Sequence, residues 1–219
     1  HIYTWSMNPR YPSCLGRPCP PCSPPDIPSL VPYLEFTVIT KIASGGWMSA
    51  AVSVEGELFI WGCGSPGSES IAVLSERTGD CEEEDEGEGD EFIRVVEIKV
   101  DGKETRVLDV AVGDGHAIVL VEEIGEDGRT EESLWGAGRN EEGQLGLGRG
   151  APGFVKEFVR IGGFGGGMKV RQVVARGWSS WVVCDGEGSH EFDSSLESVK
   201  EWFGFVCGRG LGVGEHGWG

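Results

Sequence analysis

The chain has 219 residues, 39% of them apolar, and a formal net charge of −18 at pH 7. So acidic a surface repels phosphate backbones, which argues against direct nucleic-acid binding and favours a basic partner. The 37 glycines keep no three-residue period, which excludes collagen. They border short β-branched and aromatic runs, the pattern of many short strands joined by tight turns.

In chain order, Ile2-Tyr3-Thr4-Trp5-Ser6 reads as a short strand ending at a tryptophan. It leads into a segment holding Cys14, Cys19 and Cys22 among Pro18, Pro20, Pro21, Pro24 and Pro25. Zinc would need a fourth ligand, and no second cysteine pair or nearby histidine supplies it. A redox Cys-x-x-Cys belongs at a helix N-terminus, which this proline density does not offer. The segment reads as an extended inter-strand loop. The seven cysteines are odd in number and irregularly spaced, unlike a disulfide framework, and fit a reducing compartment. Cys63, Cys184 and Cys207 fall in or beside strand-like runs, as small apolar residues would.

Three longer segments then line up with one another. Ile42 to Val52 precedes Leu58-Phe59-Ile60-Trp61-Gly62-Cys63-Gly64; Val110 to Leu120 precedes Ser133-Leu134-Trp135-Gly136-Ala137-Gly138; Val174 to Cys184 precedes Trp202 to Gly210. With Trp5, the Trp-Gly-like junctions fall at Trp5, Trp61, Trp135 and Cys207, separated by 56, 74 and 72 residues. Strand, glycine turn, strand and Trp-Gly, repeated at such a period, is the output of propeller blades. The inner strands are expected at Ser49–Val54, Ala117–Val121 and Trp181–Cys184, with Trp61 and Trp135 buried at equivalent places. The units divide as 1–40 (end of a preceding repeat and the Pro/Cys-rich loop), 41–106 (repeat one, with an acidic insertion at 76–91), 107–169 (repeat two) and 170–219 (degenerate repeat three and C-terminal end).

Two insertions interrupt the pattern. Asp80 to Glu91 carries nine carboxylates in twelve residues and no basic residue, so it repels itself and reads as a solvated, disordered excursion. Ser195 to Trp202 is the one helix-like patch. The run Gly162-Gly163-Phe164-Gly165-Gly166-Gly167 lacks the Gly-Lys-Ser/Thr ending of a phosphate loop and reads as a flexible connection. Val107 to Val121, the best apolar stretch, is broken by Asp109, Asp114 and His116, so no membrane span is expected. No signal peptide is visible, and an intracellular location, nuclear or cytoplasmic, is expected.

After the second junction comes Arg139-Asn140-Glu141-Glu142-Gly143-Gln144-Leu145-Gly146-Leu147-Gly148. This run, with the Ala111-x-Gly113-x-x-His116 turn, the apolar strand and Trp135-Gly136 before it, resembles the repeat of the regulator-of-chromosome-condensation family. Cys14-Leu15-Gly16-Arg17 looks like a degenerate copy of the same glycine-leucine turn. The resemblance implies an all-β fold of antiparallel propeller blades, about three of them, in an open or incomplete ring. It also implies small residues near the central channel, where blades converge. The family's histidine position is filled by Met48, His116 and Ser180; His116 is expected to pack with a hydrogen bond between blades.

No nucleophile–base pair and no ligand cluster emerges, so no catalytic, cofactor-binding or metal site is assigned, no cofactor is expected, and the chain does not read as an enzyme. The leading reading is a protein-interaction module whose loops bind a protein partner, either a small GTPase or a basic protein such as a histone, without direct contact to nucleic acid or membrane. The resemblance also allows a guanine-nucleotide exchange factor for a Ran-like small GTPase, or the substrate receptor of a ubiquitin ligase.

Overall fold

The computed structural model describes residues 1–7, 12–64, 69–75, 92–124, 130–163, 169–185 and 203–208, with backbone alone at 12, 75, 104, 124 and 203–208. The acidic run at 80–91, the helix-like patch at 195–202 and the glycines at 165–167 lie outside the described residues.

Two short strands, β1 (Tyr3–Thr4) and β2 (Ser29–Leu30), pair antiparallel at the start of the chain. Blade one is an antiparallel sheet of β3 (Ile39–Gly45), β4 (Met48–Ser53), β5 (Leu58–Gly62) and β6 (Ile93–Val96), in that spatial order. The one-turn helix α1 (Ala72–Ser75) lies between β5 and β6 in sequence, and the small hairpin β7 (Lys99–Val100) and β8 (Lys103–Glu104) follows. Blade two has β9 (Arg106–Val112), β10 (His116–Ile124), β11 (Thr130–Arg139) and β12 (Phe154–Ile161), again in order. Blade three has β13 (Lys169–Arg176), β14 (Ser179–Asp185) and β15 (Phe203–Gly208). The expected all-β blade architecture is therefore what the chain adopts.

Strands place alternate residues on opposite sides, so blades one and two each feed two cores, while blade three feeds one among the described residues. Between blades one and two lie Ala50, Val52, Leu58 and Ile60 from one sheet and Val110, Val119, Val121 and Ala137 from the other. The second core joins Ile118, Leu120 and Leu134 to Val173, Val182 and Cys184 of blade three. Ala51, Phe59, Trp61 and Ile93 look the other way and pack with Val31 and Leu34. A core residue such as Leu58, fully buried, contributes roughly 1.5–3 kcal/mol by leaving water.

The strands nearest the convergence of the blades are β3, β9 and β13, which contact one another from blade to blade. This corrects the expectation that Ser49–Val54, Ala117–Val121 and Trp181–Cys184 are innermost: apart from Val54, which follows β4, those residues belong to β4, β10 and β14, the second strand of each sheet. They read as the most apolar runs because a second strand is hydrogen-bonded on both edges and, in β4 and β10, covered on both faces, while β14 buries alternate residues. First strands meet the next blade partly through backbone and polar groups, which dilutes their apolar signal. The close approach is visible at Gly45, where a Cβ would collide with the carbonyl oxygens of Val112 and Gly113. Each first strand also carries a β-bulge, with Thr40, Leu108 and Arg171 the extra residues, and bulges add the local twist that a blade needs.

The two tryptophans occupy the corresponding strand and the same face, but not the same place. Met48 pairs with Gly62 and His116 with Gly138, and both glycines have φ near +100° (104° and 102°) with no room for a Cβ beside the preceding hairpin. Register therefore matches Trp61 to Ala137 and Phe59 to Trp135. Trp61 is fully buried, whereas Trp135 is half-buried with its Nε1 donating to Ser133 Oγ at 3.0 Å. A two-residue slip keeps a side chain on its face, so the sequence pattern could not reveal it.

Asp109 joins all three blades. Its carboxylate accepts from Lys41 Nζ of blade one at 2.8 Å, from its neighbour Val110 N at 2.9 Å and from Val173 N of blade three at 3.1 Å. Removing it strands two backbone donors beside the core. Asp109→Ala is expected to lower unfolding stability by about 2–4 kcal/mol. Lys41→Met, at a position one-third exposed, should lower it by less than about 1 kcal/mol. Urea denaturation followed by tryptophan fluorescence measures both; equal losses would show that the ion pair and not the amide bonds matters.

Candidate functional site

The amino-terminal segment is built around a buried cation. Arg17 is 1% exposed, and its guanidinium donates to the carbonyls of Thr4, Pro18, Ser23, Pro24 and Ile27 and to Ser23 Oγ, at 3.0–3.4 Å. The prolines make this possible, since they leave carbonyls without competing amide donors and hold the chain extended. Thr4 Oγ1 donates to Leu15 O at 2.7 Å, Ser6 N to Pro25 O at 2.7 Å and Val31 N to Ile2 O at 2.9 Å. The loop is thereby tied to β1 and to blade one.

Next to Arg17, the turn at Leu15-Gly16 lies against Trp61. Gly16 has φ +64°, and a Cβ there would sit 3.0 Å from Trp61 Cδ1. Gly146 of the Gln144-Leu145-Gly146 turn has the same φ, 64°, and Leu15 and Leu145 are both buried. Structure thus bears out the degenerate copy read at Cys14 to Arg17. In the intervening unit the equivalent plug is Ile71, 2% exposed in the core between blades one and two.

Beside this turn opens a cavity of about 410 Å³, lined by Tyr3, Trp5, Ile42, Trp47, Met48 and Trp61, with Cys14 and Leu15 also on its wall. Tyr3 and Trp5 are 54% and 59% exposed, and Ile42 is 50% exposed. The Trp61 indole N–H is buried without a hydrogen-bond partner among the described residues. Aromatic rings share the wall with the hydroxyl residues Thr4, Ser6, Ser44 and Ser49, and among the described residues no carboxylate lines it.

A second polar cluster runs along the hairpin tips. His116 Nε2 and Ser180 Oγ are 2.9 Å apart, which is the inter-blade hydrogen bond expected of this histidine. Trp178 Nε1 donates to Asp114 Oδ2 at 2.9 Å, and Asp114 N donates to Gly177 O at 2.7 Å. Register pairs Met48 with Gly62, His116 with Gly138 and Ser179 with Gly208, so Ser179 and not Ser180 fills the position of Met48 and His116, and His116 reaches one residue further along in blade three. Burial lowers the His116 pKa to about 4, and Arg139 acts in the same direction; a backbone hydrogen bond and the charge of Asp114 oppose this without reversing it. The imidazole is therefore neutral at physiological pH.

The three cysteines of the loop go to three environments. Cys14 Sγ faces Cys63 Sγ at 3.9 Å, Cys19 Sγ accepts from Arg17 Nη1 at 3.7 Å, and Cys22 is exposed. Sequence reasoning missed the Arg17 centre, the Cys14–Cys63 approach and the role of Asp109. For Asp109 a signal existed only toward blade one: the bulges at Thr40, Leu108 and Arg171 make 41, 109 and 172 equivalent positions, and Val173 is one residue beyond.

No family model matches the chain, and no curated protein matches it. Among solved structures it is similar to Prp20p from Saccharomyces cerevisiae, at 19% identity and a TM-score of 0.53, over 85% of this chain and 41% of that one. It is also similar to yeast RCC1 (Prp20) bound to Kap60, at 19% identity and a TM-score of 0.49, over 74% of this chain and 31% of that one. A third similarity, to human WBSCR16, has 16% identity and a TM-score of 0.33, over 83% and 53% of the two chains. The chain thus has an RCC1-like β-propeller fold and spans well under two thirds of the length of these structures.

The buried histidine has a consequence for stability. The unfolded chain takes a proton at His116 near pH 6.5, while the folded chain resists it down to about 4. Folding is then favoured above pH 6.5 and loses, as pH falls to 4, on the order of 3 kcal/mol from this group. His116→Gln should flatten the upper part of that slope, between pH 6.5 and 5.5, where carboxylates have barely begun to titrate. Thermal melts of both proteins across that range check it.

Proposed function

We propose that this chain is a protein-interaction module of the RCC1-like propeller type, and that it holds a basic polypeptide at the aromatic cavity of blade one. The cavity carries the reading: exposed Tyr3 and Trp5 stand over a recess walled by Trp47, Met48 and Trp61, the composition of a protein-binding anchor pocket. Net charge supports the sign of the partner, since −18 attracts a cationic chain and speeds its approach. Prp20p, whose blades these resemble, binds Gsp1p and histones; a histone tail has the charge proposed here.

Trp5→Ala is expected to weaken binding of a fluorescent histone-tail peptide by about tenfold with an unchanged melting temperature, because the side chain is exposed. Raising salt should weaken binding further, as screening shortens the reach of charge to roughly 10 Å at 0.1 M. Anisotropy titrations measure both, and equal affinity of wild type and Trp5→Ala would remove the cavity from the proposal. Exchange activity is the competing reading. In a fluorescent-nucleotide release assay with a Ran-like GTPase this chain should give no acceleration, and concentration-dependent release would replace the binding-module assignment.

A further inference from the structure

We infer that Cys14 and Cys63 are a reversible disulfide site that fastens the amino-terminal loop to the end of the third strand of blade one. Their sulfurs are 3.9 Å apart although 49 residues separate them in sequence. Among the described residues Cys19 turns instead to Arg17, Cys22 is exposed and Cys184 is buried in the core with blade three. Both backbones are held. Cys63 N donates to Trp47 O at 3.1 Å, and on either side of Cys14 the chain is fixed by Gly16 N to Ser13 O at 3.2 Å and by Thr4 Oγ1 to Leu15 O at 2.7 Å. A disulfide needs the sulfurs at about 2.05 Å, so closing it takes a sulfur movement of about 2 Å, within reach of side-chain rotation.

The chemistry balances with a peroxide as oxidant. Burial, and after it the neighbouring Cys63 sulfur, push the Cys14 thiol up to about 12, which favours its neutral form. Cys63 sulfur takes one oxygen, giving a sulfenic acid and one water. Cys14 sulfur then displaces that oxygen: the S–S bond forms, the S–O bond breaks, and the Cys14 proton leaves with the hydroxide as a second water. Two thiols and one peroxide become one disulfide and two waters, and a dithiol reverses it. The cavity that Cys14 lines is wide enough to admit so small an oxidant. Once formed, the bond would hold the Leu15-Gly16 turn on Trp61 and fix one wall of the cavity. The thiol pair needs only this geometry and stands apart from the binding reading.

The test treats the full chain with a small excess of hydrogen peroxide under native conditions, followed by digestion and mass spectrometry without reduction. The expected result is a Cys14–Cys63 linked peptide pair that disappears with dithiothreitol, together with a melting temperature raised by roughly 5 °C. Cys63→Ser should abolish the shift and Cys22→Ser should leave it. If peroxide-treated folded protein still has Cys14 and Cys63 open to alkylation after denaturation, or if the dominant link joins Cys19 and Cys22, the site is wrong. Because the linked peptide is read in the unmutated chain, a variant that misfolds does not decide the outcome.

Discussion

The carboxylate of Asp109 lies 2.8 Å from Lys41 Nζ in blade one and 3.1 Å from Val173 N in blade three, so one charge in the middle sheet touches both neighbours. Its three partners sit at equivalent or adjacent positions of the repeat, and the same is true of His116 with Ser180 and of Asp114 with Trp178. Stacking similar blades brings like positions together, so a repeat that kept one residue type there would set charge against charge or bulk against bulk. The chain instead varies these positions: Lys41, Asp109 and Gln172 at one, Met48, His116 and Ser179 at another, Gly46, Asp114 and Gly177 at a third. Decay of the repeat is thus partly a requirement of packing, since contacts between unlike groups can be made where identical ones could not.

Around that seam the apolar cores follow a simple rule. One residue from the loop after each junction, Leu15, Ile71 or Leu145, is buried where a blade meets the next layer. Leu15 and Leu145 are followed by glycines at φ 64°, a left-handed conformation that other residues adopt only with strain. Without these side chains a void would open there, and a void in a core costs stability in proportion to its size. These plugs close it.

The amino-terminal loop shows how a polar device can substitute for apolar burial. Its prolines and small residues offer little to a core, yet Arg17 draws five carbonyls onto one guanidinium. Such charge-assisted bonds are stronger than neutral ones, and they hold the loop firmly enough to press Gly16 on Trp61 and to bring Cys14 beside Cys63. The aromatic recess and the thiol pair are therefore products of the same anchor. The proposed binding surface depends on a residue that does not itself line the recess.

Alternating apolar residues, glycine turns and recurring junctions were enough to establish from sequence that the chain forms antiparallel blades, because local steric preference and the two-residue period act within each strand. The glycine-leucine turn at Cys14 to Arg17 was legible for the same reason, and His116 could be placed between blades by its position in the repeat. Which strand is innermost was not legible, since β4, β10 and β14 look most apolar by virtue of being paired on both edges, and β4 and β10 are covered on both faces as well. The match of Trp61 to Ala137 was hidden too, because a slip of two residues preserves the face and hence the pattern. Arg17, Asp109 and the Cys14–Cys63 approach depend on groups from separate strands and loops meeting in space, and that meeting is decided only when the blades pack.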